Sequence, residues 1–224
     1  MYTYPMVSCI MPTKNRRKFI PRAIQYFLKQ SYKNKELIII DDGFDKIEDL
    51  VPNNKMIRYI YLDKSHTIGA KRNYANHIAK GDIIIHWDDD DFMADEWIAK
   101  QVYSLINLKA DITGIQNVYY YNLEDKSTYL YSFPKSFGPW VLGGSFCYYK
   151  HIWQEYPFAN INIGEDSNFL KKTKHLKIIP HNYIKYYIAT IHPKNTSFKS
   201  IKNNSYWQKI KQKQLPSSFF TSFK

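Results

Sequence analysis

Cysteine is scarce: two residues in 224, Cys9 and Cys147. Both sit in apolar runs, "MVSCIM" and "GGSFCYYK", without metal-ligand spacing. That pattern excludes a disulfide scaffold and a thiolate metal site, and predicts buried free thiols in a reducing compartment. No apolar run approaches the ~20 residues needed to span a bilayer. The N-terminus lacks a basic start followed by a long apolar stretch, so no secretory signal is expected. A soluble, cytoplasmic protein is the expectation. There is no internal repeat and no low-complexity segment. Net charge is +12, but no long Lys/Arg block concentrates it. A nucleic-acid footprint is therefore not expected, while scattered positive charge suits a nucleotide phosphate.

What is present is 44% hydrophobic residues and 20 tyrosines, enough to fill one large domain. "MVSCIM", "ELIIIDDG", "MIRYIYLD" and "DIIIHW" read as buried strands. Between them, "NRRKFIPRAIQYFLKQS" repeats Phe19, Ile20, Ala23, Ile24, Phe27 and Leu28 at helical spacing, with Asn15 or Thr13 as candidate caps. Pro21 fits only a first turn. "TIGAKRNYANHIAKGD" reads as a helix capped by Thr67 and ended by Gly81, and "ADEWIAKQVYSLINLKA" as the next. Continuous β-branched strands alternating with amphipathic helices imply a mostly parallel α/β sheet covered on both faces. After Asp111 the pattern shifts to "DITGIQNVYYYN", "STYLYSF" and "GGSFCYYK", short strands that are partly antiparallel. The expected organisation is one domain over 1–202, with halves at about 4–110 and 111–202. A basic aromatic tail follows over 203–224, either docked or frayed, and a candidate for peripheral membrane contact.

Parallel α/β sheets place ligands at the carboxyl ends of their strands. Three polar clusters fall there: "PTKNR", "DDG" and "DDDD". If the tetrad Asp88 to Asp91 is extended, Asp88 and Asp90 point one way and Asp89 and Asp91 the other. Carboxylates this dense stay ionised only with a cation among them, and their oxygens suit Mg²⁺ or Mn²⁺. Taken as a plain acidic loop, the tetrad would cap the next helix. The loop lacks the sixth-position glycine and twelfth-position glutamate of a calcium-binding EF-hand loop. Lys71 and Arg72, at a helix start, fit a diphosphate. Glu165 and Asp166 open a later helix and are either caps or a general base. His192, in "IHPKNTS", is either a metal ligand, a phosphate donor or a satisfied polar residue.

The ordered set "VSCIMPTKNR", "QSYKNKELIIIDDG", "GAKRNYANHIAKGDIIIHWDDDDFMADEW", "LGGSFCYYKHIW", "GEDSNFL" and "HPKNTS" resembles family 2 glycosyltransferases of the GT-A fold. The resemblance runs from about Tyr4 to Ser197. It implies an inverting hexosyltransferase that uses a nucleotide sugar, UDP-linked by expectation, and a divalent metal, Mn²⁺ or Mg²⁺. The implied acceptor is a hydroxyl of a glycan, a lipid-linked sugar or a protein. By the same resemblance Pro12, Thr13 and Asn15 belong to the first nucleotide loop, and Asp42 reads the base with Asp41 beside it. Lys71 and Arg72 support the nucleotide. Asp88 and Asp89 meet the donor, and Asp90, with Asp88 and His192, holds the metal. Asp166 is the implied base, with Glu165 the fallback. Two other readings remain open from the residues: a sugar nucleotidyltransferase, against which "PTKNRRKF" lacks a glycine, and a non-catalytic anion-binding module, which leaves the tetrad unexplained.

Overall fold

The structure, a computed structural model, describes residues 4–134, 136, 138–197, 201 and 205–221. Strands β1 (Val7–Thr13), β2 (Lys35–Asp41), β3 (Ile57–Tyr61) and β4 (Ile83–His86) alternate with helices α1 (Ile20–Lys29) and α2 (Ile68–Ile78). A two-residue strand β5 (Phe92–Met93) and helix α3 (Trp97–Asn107) follow. The remainder comprises β6 (Ile112–Ile115), β7 (Asn117–Asn122), β8 (Thr128–Ser132), β9 (Cys147–Tyr149), α4 (Lys150–Glu155), α5 (Glu165–Lys172), β10 (Ile178–His181), β11 (Tyr187–Ile191), β12 (Trp207–Ile210) and α6 (Ser217–Thr221).

These strands make two sheets. The seven-stranded one runs β10-β6-β9-β4-β1-β2-β3, and the five-stranded one runs β12-β8-β7-β11-β5. In the larger sheet β1, β2, β3 and β4 pair in parallel, as their continuous apolar runs require, and only β9 is antiparallel to its neighbours. Alternate residues of each strand feed opposite layers. Cys9, Leu37, Ile39 and Ile85 pack with α1 and α3, while Ile10, Ile38, Ile40 and Ile84 pack with α2 and α5. Helices therefore cover both faces, which is why these strands carry no polar alternation.

Several local expectations shift. Helix α1 starts at Ile20 with Phe19 at its N-cap and no side-chain cap, so neither Asn15 nor Thr13 fills that role. Both are drawn toward the site instead, and Pro21 does sit in the first turn. Leu28 is 38% exposed, the outermost of its helical stripe. Thr67 caps α2 by accepting the Ala70 N–H at 3.1 Å. The two sequence halves interleave: β6, β9 and β10 join the larger sheet, and β5 crosses into the smaller one. The described part of the tail is docked. Its β12 pairs antiparallel with β8, and Phe219 and Leu215 are buried, each worth about 1.5–3 kcal/mol when fully removed from water. No helix among the described residues is long and apolar enough to cross a membrane.

Candidate functional site

The carboxyl ends of β1 and β4, the start of α2 and the start of α5 surround a cavity of about 450 Å³. The five-stranded sheet closes it with Tyr120, Tyr187 and Ala189. Pro12, Thr13, Lys71, Arg72, Asp88, Asp89, Asp90, Glu165 and Asp166 all face this space, brought together from distant parts of the chain. Asn15, Asp41, Asp42 and His192 do not line it; Asp42 and His192 stand behind the wall and hold residues that do.

The tetrad does not alternate. Its backbone bends over Asp89 to Asp91, so Asp91 joins Asp88 and Asp90 on one side. Those three each offer an oxygen within 4.8 Å of the others. Asp89 turns away and accepts the Thr13 hydroxyl at 2.5 Å. The Arg16 guanidinium donates to Asp89 Oδ1 at 2.9 Å and to Asp90 Oδ2 at 2.6 Å, and reaches the Lys194 carbonyl at 2.6 Å. Arg16 was not anticipated. The signal was the basic run "KNRRK" opposite an acidic one, but nothing in it separates Arg16 from Arg17, which leaves to pair with Asp45 and Asp49.

His192 stands beside the three-carboxylate cluster, bound to Asp90. Its Nδ1 accepts the Lys194 N–H at 3.1 Å, which leaves Nε2 to carry the proton toward Asp90 Oδ2 at 2.9 Å. With both ring nitrogens engaged, it orients Asp90. Asn195 Nδ2 adds a third donor to the same oxygen at 3.3 Å. Asp91 is held differently. It accepts the Thr190 N–H at 2.8 Å and the Tyr187 hydroxyl, with no cation on it.

Electrostatics follow this pairing. Burial pushes Asp88 up to about 6, with Arg72 opposing. Burial likewise pushes Asp89 up to about 6 against the Arg16 charge. Burial also acts on Asp90, but the His192 hydrogen bond and Arg16 outweigh it and hold that carboxyl below its usual range. Asp91 is pushed well up by burial and then by the Asp90 and Asp88 charges. Three carboxylate oxygens converging in a strained electrostatic setting fit a hard divalent cation in donor type and spacing.

The base-side residues behave as wall supports. Asp42 accepts Lys71 Nζ at 2.6 Å on one oxygen and the His66 N–H at 2.7 Å on the other. Each of its oxygens already accepts one bond within the protein, and Asp42 stands behind the cavity lining. Lys71 also donates to the Thr13 carbonyl at 2.8 Å, and burial lowers its ammonium pKa. Asp41 is fully buried and accepts Gly43 N–H and the Tyr59 hydroxyl, each at 2.9 Å. Asn15, at a positive φ of 54°, accepts the Phe44 N–H at 2.9 Å and so ties the first loop to the "DDG" turn.

On the opposite wall, Gly164 precedes α5 at φ 83°, a conformation that favours glycine. It delivers Glu165 inward, where Arg72 binds it at 2.6 Å, and leaves Asp166 half-buried on the cavity surface. Arg72 stands 3.7 Å from Asp88, and its Nε is buried with no hydrogen-bond partner among the described residues. Gly143 lies flat against Asp166, and Gly144 against Asp88 and Tyr187. A Cβ at either would meet those atoms at 2.2 to 2.5 Å.

Three comparisons set the chain beside known proteins. The family model "Glycosyl transferase family 2" matches residues 8–185. A glycosyltransferase of Haemophilus influenzae is 34% identical over 103 residues, 44% of this chain and 41% of its own. The Escherichia coli UDP-Glc:alpha-D-GlcNAc-diphosphoundecaprenol beta-1,3-glucosyltransferase WfaP is 35% identical over 101 residues, 44% of this chain and 40% of its own. Among solved structures, S. aureus TarS 1-349 in complex with UDP-GlcNAc superposes with a TM-score of 0.70 at 18% identity. That match covers 88% of this chain and 63% of that one, a likeness of fold. The chain spans less than half the length of the curated relatives it matches.

Proposed function

Since the chain belongs to glycosyl transferase family 2, we propose that it moves a sugar from a UDP-linked donor to a hydroxyl of a sugar acceptor, with inversion at the anomeric carbon. One observation carries the reading: Asp88, Asp90 and Asp91 converge in the same cavity as Arg72 and Asp166. The name of the E. coli relative supplies a lipid-linked saccharide as the first acceptor class to try.

Asp88, Asp90 and Asp91 would hold a divalent cation, whose Lewis acidity would stabilise charge growing on the departing diphosphate. Arg72 serves the same charge: its guanidinium lines the cavity and stands 3.7 Å from Asp88. Asp166 takes the proton of the acceptor hydroxyl as the new carbon–oxygen bond forms on the face opposite the leaving diphosphate. Of the two acidic residues it is the better base. Glu165 is locked to Arg72 at 2.6 Å, whereas Asp166 is bound only within its own turn, by the Ser167 N–H at 2.7 Å and the Ser167 hydroxyl. Thr13 and Arg16 keep Asp89 fixed beside the donor.

The test is thermal denaturation with UDP, UDP-glucose, UDP-N-acetylglucosamine and GDP-mannose, each with and without Mn²⁺, followed by product analysis with the stabilising donor. A UDP-linked donor should stabilise the protein only together with the metal. Stabilisation by nucleoside triphosphate and sugar phosphate, with diphosphate release, would replace this reading with nucleotidyl transfer.

A further inference from the structure

The face of the five-stranded sheet that closes the cavity continues beyond it. Residues paired directly across neighbouring strands share a face. Ala189 on β11 lies opposite Tyr120 on β7, and Tyr120 lies opposite Tyr129 on β8. In the adjoining row Val118 lies opposite Tyr131, and Tyr131 opposite Trp207 on β12. Since Tyr120 and Ala189 line the cavity, the rings of Tyr129, Tyr131 and Trp207 extend that same wall outward to the sheet edge. The rings touch: Tyr120 to Trp207 at 4.7 Å, Tyr131 to Trp207 at 4.9 Å and Tyr131 to Trp140 at 5.9 Å between centroids. Trp140 belongs to the stretch that enters the cavity at Leu142 and Gly144 and packs Gly143 on Asp166.

Exposure decides what this wall is for. Tyr120 is buried, but Tyr129, Tyr131, Trp140 and Trp207 are all only half-buried, which core packing alone does not require of such large rings. Flat rings with polar tips give an apolar face and hydrogen-bonding edges, the two surfaces a pyranose presents. An aliphatic chain would call for leucine and isoleucine, and the outer strand instead adds the exposed Lys209, opposite Tyr129 on this face.

We propose that this aromatic extension is the subsite for the sugar ring of the acceptor, with Trp207 of the C-terminal strand and Trp140 as its stacking platforms. The proposal rests on the transferase reading for its orientation, since the wall leads to the cavity where Asp166 would receive the proton. It also gives the C-terminal strand a substrate role.

The test uses the full chain with UDP and Mn²⁺ and an immobilised set of di- and trisaccharides, including cellobiose and chitobiose. Wild-type protein should retain at least one saccharide. Trp207→Ala and Trp140→Ala should each weaken that retention about tenfold, and Trp207→Phe should restore most of it. UDP affinity should stay within about twofold throughout, because the rings stand outside the metal cluster. Trp140 lies on a separate loop from β12, so it keeps the test open if the Trp207→Ala strand undocks. UDP binding without saccharide retention, or equal retention by both alanine variants, overturns the platform. Retention of saccharide without UDP binding upholds the platform and removes the transferase reading instead.

Discussion

The two sheets grip the same four aspartates by different means. The larger sheet holds its share with charge: Arg16, one turn beyond β1, lies on Asp89 and Asp90, and Arg72 on α2 stands by Asp88. Among the described residues the smaller sheet brings no lysine or arginine to them. It supplies the Tyr187 hydroxyl and the Thr190 N–H to Asp91, and His192 as a donor to Asp90. The charged grip compensates the carboxylates where a donor's diphosphate would arrive. The neutral grip keeps Asp91 aimed while burial and its two carboxylate neighbours favour its protonated form, so a cation that displaces the proton has something to gain there. A site built from charge alone would be satisfied without a metal; one built from neutral donors alone would not hold four carboxylates at all.

The largest expected effect lies on the wall neither grip touches. Asp166→Asn keeps the shape and removes the base. Turnover should fall about 10²–10⁴-fold, with UDP-sugar affinity in the presence of Mn²⁺ unchanged by calorimetry. Near-normal turnover would take the base assignment away from Asp166. By contrast Asp90→Ala should abolish metal-dependent donor binding itself, so that the two losses separate binding from proton transfer.

Arg16→Met breaks the charged grip. Removing one partner from a buried ion pair costs about 3–5 kcal/mol, and here two carboxylates lose their guanidinium and keep only the Thr13, His192 and Asn195 donors. The denaturation midpoint should drop, and Mn²⁺ should recover more of the loss than it adds to wild type, because a cation takes over part of the guanidinium's role. An equal metal shift in both proteins would mean that Arg16 does not share the cluster's charge. Tyr187→Phe probes the neutral grip. The loss should be smaller, about 1–3 kcal/mol for leaving a buried acceptor without its donor, and the metal shift should change less than in Arg16→Met.

How much of this was legible in the chain follows the same division. The parallel sheet was readable because β1, β2 and β4 are buried on both faces, so their apolar runs are continuous and their polar exits stand out. The Thr67 cap was readable because a cap is a local bond. The smaller sheet was not. Its order depends on β5, two residues long, and on β12, which pairs with β8 across about 80 residues of chain, and no local periodicity encodes such partners. At the site, residue types were legible and directions were not. Asp42 looked like a base reader because its neighbours fit that turn, yet its oxygens go to Lys71 and His66. His192 looked like a ligand until the Lys194 N–H fixed which nitrogen carries the proton. The bend that swings Asp91 to join Asp88 and Asp90 is a backbone event that strand alternation cannot foresee.

The smallest effect tests whether neutral holding is confined to the smaller sheet. His181 ends β10 at the edge of the larger one. Its Nε2 donates to Gln101 Oε1 at 2.8 Å and its Nδ1 accepts the Tyr183 N–H at 3.3 Å. Gln101 is fixed in that orientation because its own amide donates to the Ser145 carbonyl at 2.6 Å. A second proton on the imidazole would face the Tyr183 N–H, and burial accordingly pushes His181 down to about 4. The unfolded chain binds that proton near pH 6.5. Between about 4 and 6.5 the unfolded state therefore holds more protons, and stability falls as the solution is acidified. From pH 7 to 5.5 the contribution lost is about 1 kcal/mol. The aspartates pushed upward by burial act in the opposite direction over the same range, so the informative quantity is the difference between wild type and His181→Gln. That difference should shrink toward acid by about this amount in chemical denaturation, and it should do so equally with and without Mn²⁺. A metal-dependent difference would tie His181 to the aspartate cluster, against its position at the far edge of the sheet.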